Sequence, residues 1–434
     1  MASATDGRLV GPDGELTGAS FDSRSITPGQ LFVPIVAERD GHDFIPVAVA
    51  AGAGAYLTSR AVDRTLEAPA IEVTETAGAL VELARWGRGQ LTATVVGITG
   101  SVGKTSTKDL AAAALAAGRR VAANARSFNN EMGLPVTVLG APDDTEVLVL
   151  EMGMRGFGEI ARLCAIGRPD VGVVTRVAPS HTERVGGIDG VARAKAELVE
   201  ALPAGGTAVL NADDERVAGM AARTDAAVVT FGQRPGATVR AVDIVLDERA
   251  RARFRLQSPW GVVDVALAVA GEHMVANAAA ALAVAGVVGV DLDGAAMALG
   301  AATLSAGRME LLEAAAGGVV VNDAYNANPS SMAAALQALA GMAADRRVAV
   351  LGPMAELDDP AGAHAGIAVL VAELGIELIA VGTADYGVDP TERVEVATRI
   401  GPITPGTAVL VKASNSARLY ELAPQLAHGA AEAG

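Results

Sequence analysis

Residues 92–118 read TATVVGITGSVGKTSTKDLAAAALAAG, and this stretch decides the fold. Its first half is β-branched and apolar, which predicts a buried strand. A Gly-rich turn follows, then a helix from Lys104 with Gly118 as the expected C-cap. Gly100 and Gly103 let the backbone curl so that several N–H groups face one anion. The helix N-terminus adds its positive end. Residues Thr99, Gly100, Ser101, Val102, Gly103, Lys104, Thr105 and Ser106 are therefore the candidate polyphosphate cradle. Lys104 supplies a point charge for the phosphates and Thr105 a hydroxyl for Mg²⁺. The spacing departs from the common phosphate loop, because Ile98 stands where the first Gly is usual. The competing reading is a strand–helix turn with an accidental Gly-Lys-Thr.

Outward from this loop, apolar strands EVLVLEMG, DVGVVTRV and TAVLNADD alternate with helical segments EIARLCAIG and VARAKAELVEAL. Such alternation predicts an α/β fold, a parallel sheet with helices on both faces. From about Ala237 to Ala270, short alternating strands predict a small antiparallel annex. Before residue 83, SRSITPGQLFVPI and DGHDFIPVAVAAGAGAYLTS suggest a small α/β unit. From Thr303 on, GVVVNDAY, RRVAVLG, IELIAVG and TAVLVKA predict a second doubly wound, Rossmann-like unit. Three domains are expected: 1–82, 83–302 and 303–434.

Composition narrows the chemistry. The 434 residues carry 34 basic and 50 acidic side chains, a net charge of −16, so no broad nucleic-acid footprint is expected. The single cysteine, Cys164, excludes an internal disulfide and a Cys-based zinc site. MASATDGRLVGPDGE is not a secretory signal. The apolar run Met274–Val290 is rich in Ala and Gly and contains Asn277, which favours a buried helix over a membrane span. A cytoplasmic protein with no membrane insertion is expected.

Five further positions are weighed for chemistry. Glu151 ends an apolar strand, where ligands of parallel sheets bind, and its carboxylate suits Mg²⁺. His181 follows another strand and could reach the same site, although a lone histidine is more often structural. Lys195, among Arg193 and Glu197, reads as a solvated helix lysine. Asp213 and Asp214 read as caps of the following helix.

Several separated motifs now line up: SFDSRSITPGQLFVPI with RDGHDFI, GITGSVGKTSTKDL, SFNNEMGLPVTVL, EMGMRGFGEIA, ARAKAELVEAL, GEHMVANAAAALAVA, GRMELL, VVVNDAYNANPSSM and VLVKASNSARL. Together they resemble the Mur ligase family of ATP-dependent amide-forming enzymes, over nearly the whole chain. NDAYNANP with FNNEMGLP points to its dipeptide-adding branch. The resemblance implies an N-terminal domain that binds a UDP-linked substrate, a central ATPase domain and a closing C-terminal domain. It implies ATP and Mg²⁺, with UDP-N-acetylmuramoyl-tripeptide and D-alanyl-D-alanine as partners, in a monomer. It assigns Lys104 and Thr105 to phosphate and Mg²⁺, Glu151 to Mg²⁺ and His181 to a second Mg²⁺. Lys195 becomes a carbamoylated metal ligand, which reverses the solvated reading. Asn277, Arg308, Asp323 and Asn326 fall to ATP, Ser23 and Arg24 to the uridine nucleotide, and Asn129, Asn130 and Glu131 to the acceptor loop.

The chain departs from the family pattern in places. Arg176 stands where Asn is common, Ser180-His181 where Ala-His is, and Met274 where Asn often follows the histidine. Lys412-Ala413-Ser414-Asn415-Ser416 lacks the Gly and Arg of the usual KGSRS. Other Mur-type or folylpolyglutamate synthase-like ligases, and a non-catalytic nucleotide-binding regulator, are the alternatives.

Overall fold

The computed structural model describes residues 1–124, 128–179 and 182–429. Three sheets follow one another along the chain. Strands β1 (Arg8–Val10), β2 (Ala19–Ser20), β3 (Leu31–Phe32), β4 (Ala55–Thr58) and β5 (Ala70–Glu72) form the first, in the order β1-β5-β4-β3-β2. Only β1 runs antiparallel to its neighbour. The core under this sheet is Leu31, Leu57, Leu80 and Leu83, and it extends to Val136 of the next domain. Helix Thr76–Gln90 bridges the two domains without a break. Glu75 caps its start by accepting from the N–H groups of Ala77 and Gly78. Near its end, buried Arg88 donates to the Gly167 carbonyl at 2.8 Å.

The second sheet contains β6 (Thr94–Thr99), β7 (Val121–Ala123), β8 (Val147–Glu151), β9 (Val171–Val174), β10 (Thr207–Asn211), β11 (Ala227–Gly232), β12 (Val239–Leu246), β13 (Arg251–Ser258) and β14 (Gly261–Ala270). Their order is β14-β13-β12-β11-β10-β9-β6-β8-β7. Strand β6 lies between β8 and β9, both parallel to it, so loops leaving β6, β8 and β9 share one edge. The expected antiparallel annex is not separate. Strand β12 pairs in parallel with β11 through Phe231–Val239 and Gly232–Arg240, so β12–β14 continue the main sheet. Local alternation gave their antiparallel pairing but carried no information about this edge.

Helix Lys104–Ala116 packs its Leu110, Ala111, Ala114 and Leu115 beneath the sheet. Helix Met274–Val288 lies against it, buried along Ala278–Ala285, as its apolar sequence predicts. Small alanines on both helices permit this close approach. Among the described residues, no helix is long and apolar enough to cross a membrane. The C-cap of helix Lys104–Ala116 is Ala117 rather than the expected Gly118.

The third sheet is β15 (Glu310–Glu313), β16 (Val319–Asn322), β17 (Arg346–Leu351), β18 (Glu377–Ala380) and β19 (Thr407–Lys412), ordered β15-β16-β19-β17-β18. All neighbours except β15 and β16 pair in parallel. Strands β16 and β19 end beside each other, with Asn322 opposite Val411.

Leu110 is fully buried between sheet and helix. Truncation by Leu110→Ala is expected to cost ~2–5 kcal/mol. Val394→Ala, at a site 87% exposed, should cost less than about 0.5 kcal/mol. Denaturant midpoints for the two variants check this.

Candidate active site

The turn after β6 is held from two sides. At Gly100, φ is +155° and a Cβ would stand 1.8 Å from the Thr175 hydroxyl oxygen. At Gly103, φ is +83° and a Cβ would stand 2.6 Å from the Asn277 side-chain oxygen. Only glycine fits either place. Thr175 in turn donates to the Val102 carbonyl at 2.6 Å, and the Ser101 N–H donates to the Arg176 carbonyl at 2.7 Å. The loop shape is thus imposed by β9 and by helix Met274–Val288, not by the glycines alone.

Lys104 curls back and donates to the Gly100 carbonyl at 2.7 Å. Burial pushes its ammonium below the usual lysine range; Glu151 opposes that shift and Arg308 adds to it. Thr105 donates to Glu151 Oε2 at 2.7 Å, and Asn129 donates to Glu151 Oε1 at 2.8 Å. Glu151 is buried, and its own N–H is held by Asn124 Oδ1 at 2.7 Å. A hydroxyl and a carboxylate oxygen at this spacing, at the end of a parallel strand, form a hard-oxygen pair that suits Mg²⁺. His181 lies outside the described residues. Among the described residues, no group of three His, Cys, Asp or Glu side chains gathers as a metal cluster.

Lys195 is not a solvated lysine. It is 2% exposed, on the inner face of helix Ile188–Glu200 between Ala194 and Ala196. Burial first, and then Lys104, hold its amine well below the ordinary lysine range. It lines a recess of about 60 Å³ together with Gly100, Ser101 and Lys104. Arg193 takes the outer face and lies over the Phe157 ring. Asp214 does cap the next helix, accepting from the N–H groups of Arg216 and Val217. Asp213 does not: it accepts from the N–H groups of Gln233 and Arg234, because the turn after β11 folds back onto it.

The C-terminal domain forms the opposite wall. Lys412, at the end of β19 and 2% exposed, donates to Asp323 Oδ2 at 2.6 Å and to the Asn326 carbonyl at 2.9 Å. This ion pair fixes the turn after β16, and the Met309 N–H donates to Asp323 Oδ1 at 3.1 Å. The Arg308 guanidinium lies 4.2 Å above the centre of the Tyr325 ring. These groups, the phosphate loop, Asn129–Glu131 and Asn277 line one cleft of about 1490 Å³. Ser23 and Arg24 do not line it; Arg24 is exposed and paired with Asp22 at 2.8 Å. Sequence reading missed Lys412, Asn124, Thr175 and His273 as site residues. The signal for Lys412 and Thr175 was present, since each lies at or just beyond the end of a readable parallel strand.

Profiles of the Mur ligase middle domain and of the Mur ligase, glutamate ligase domain match residues 98–285 and 307–429. The chain belongs to the Mur ligase family. It is 42% identical to the UDP-N-acetylmuramoyl-tripeptide–D-alanyl-D-alanine ligase of Mycobacterium tuberculosis H37Rv, over 94% of this chain and 91% of that protein. The Escherichia coli K12 protein of the same name is 36% identical, over 96% and 95%. Among solved Mur ligases, MurF from Acinetobacter baumannii superposes with a TM-score of 0.86 at 29% identity, covering 98% and 97% of the two chains. MurF from Thermotoga maritima in complex with ADP gives 0.79 at 27%, covering 94% and 96%.

His273 borders the same Mur ligase cleft. Burial pushes its pKa down from 6.5 to about 4; Asp323 opposes this and Lys412 adds to it. Above pH 6.5 the ring is neutral whether the chain is folded or not. As pH falls from 6.5 towards 4, only the unfolded chain takes up the proton, so stability is lost across that window. His273→Gln is expected to flatten that part of a stability–pH curve measured by denaturant unfolding.

Proposed function

We propose that this protein is an ATP-dependent ligase that joins D-alanyl-D-alanine to UDP-N-acetylmuramoyl-tripeptide in peptidoglycan-precursor synthesis, releasing ADP and phosphate. The observation that carries the reading is the glycine cradle ending in Lys104 and Thr105, with Glu151 hydrogen-bonded to that threonine, in a Mur ligase chain. A free carboxylate does not form an amide readily, because oxide is a poor leaving group. Its attack on the γ-phosphorus of ATP gives an acyl phosphate. The dipeptide amine then attacks the acyl carbon and phosphate leaves. The first step brings two anions together, so neutralisation of charge dominates it.

Lys104 and the loop N–H groups meet that need from the protein side. Thr105 and Glu151 would hold Mg²⁺, and His181 a second ion; such a metal would supply positive charge to offset that of the phosphates. Lys195 would join them as a carbamate. Its neutral amine attacks CO₂, an N–C bond forms and a proton leaves, turning a cation into an oxygen ligand. Its depressed basicity and its recess beside Lys104 support this role. Asn277, Arg308, Asp323 and Asn326 would hold ATP at the domain junction, Asn129, Asn130 and Glu131 the acceptor, and Ser23 and Arg24 the uridine nucleotide. We take 1–82, 83–302 and 303–434 as the three functional units. We take the protein to work as a monomer in the cytoplasm.

Purified protein should release ADP only when ATP, Mg²⁺, the UDP-linked tripeptide and D-alanyl-D-alanine are all present. Equal release with single amino acids in place of the dipeptide would favour another Mur-type ligase. Lys104→Ala is expected to abolish product formation. Lys195→Ala should also be inactive, yet partly restored by added acetate or formate, whose carboxylate can replace the carbamate. Absence of restoration would remove the carbamate assignment.

A further inference from the structure

The phosphate-loop helix carries a buried pair that the reaction chemistry leaves unused. Lys108 is 2% exposed and lies 2.9 Å from Asp109. Its ammonium donates to the Asn124 carbonyl at 2.8 Å, and Asn124 holds the N–H of Glu151. Asp109 faces the other way in the fold. Its Oδ2 accepts the Ser305 N–H at 2.7 Å, and its Oδ1 accepts the Ser305 hydroxyl at 3.2 Å.

Ser305 belongs to the linker between the second and third sheets, three residues before Arg308. The far end of that linker is tied to the C-terminal domain. The Tyr325 N–H donates to the Gly307 carbonyl at 3.1 Å, and the Met309 N–H donates to Asp323. Arg308 therefore lies between a tether to the ATPase helix and a tether to the turn that carries Tyr325. Arg308 and Lys104 line the same cleft. Lys104 and Asp109 stand on one rigid helix, five residues apart, so the helix sets the distance between phosphate loop and linker.

We propose that Asp109 is a positioning residue: by gripping Ser305 it fixes the linker so that Arg308 is presented to the phosphates of ATP. Asp109 itself touches no substrate. This rests on the reading of Arg308 as an ATP contact. A carboxylate suits the task because it accepts from two donors of one residue while its charge is balanced by Lys108.

A double-mutant cycle on ATP binding tests it. Mg²⁺-ATP is titrated calorimetrically into the full chain, Asp109→Ala, Arg308→Ala and the double variant. Each single change is expected to weaken binding roughly tenfold, the scale of one charged hydrogen-bonding contact. The double variant should bind no worse than the weaker single, within about twofold, because Asp109 acts through Arg308. A merely structural role for Asp109 would not produce this dependence on Arg308. Losses that multiply to about a hundredfold, or an Asp109→Ala protein that binds ATP like the parent, would overturn the proposal. If Asp109→Ala does not yield folded protein, Ser305→Pro deletes both donors from the linker side, and the same criterion applies. The binding cycle decides the matter whether or not dipeptide-dependent ADP release is seen, so failure of the ligase reading stays separate.

Discussion

The structure depends on how tightly its phosphate loop is wedged. Backbone at Gly100 meets Thr175, and backbone at Gly103 meets Asn277, with no room for a Cβ at either place. A loop shaped by its neighbours costs little to organise when an anion arrives, because its backbone is already held in place. That constraint propagates. Thr175 must follow β9, Asn277 must open the helix beneath, and both must hold their places relative to β6. The alanine-rich contact between helices Lys104–Ala116 and Met274–Val288 keeps that geometry rigid.

Much of this was legible because strand ends and periodicity are local signals. The run VLVL before Glu151 placed the carboxylate at a sheet edge, and the edge is where the loop lies. Asn277 was noticed as a polar interruption of an apolar helix, and its side chain does face the loop. The burial of Lys195 was not legible from its own segment. Flanked by Arg193 and Glu197, it looks like one charge among several, and helical spacing does not say which of two lysine-compatible faces is buried. The masking feature is the pair of alanines beside it, which leave no bulky apolar marker of an inward face. Asp213 was misread for a different reason. Its partners, Gln233 and Arg234, lie twenty residues on, in a turn whose return path no local pattern encodes.

Charge shows the same division between local and global information. A chain at −16 is a poor prior for binding polyanions. Yet the cleft gathers Lys104, Arg176, Arg308 and Lys412 from four separate segments. The bulk charge governs solubility and long-range repulsion, whereas binding is decided within a Debye length, ~8 Å at physiological salt. Lys412 is spent on Asp323 and so stiffens the wall rather than attracting ligand.

The arrangement also explains why two doubly wound units are joined here. Parallel sheets offer ligand sites beyond their carboxyl ends. The central sheet presents Gly100, Glu151 and Thr175 from three such ends, and the C-terminal sheet presents Asp323 and Lys412 from two more. On the proposed ligase reading, facing the two edges across one cleft would give an activated carboxylate and an incoming amine a shared space that neither sheet could enclose alone. An intermediate that water would destroy must be made and consumed behind such a closure. The linker between the sheets therefore becomes part of the chemistry's geometry. It carries Arg308, and its anchorage to the ATPase helix lets the phosphate site and the opposite wall share a common frame.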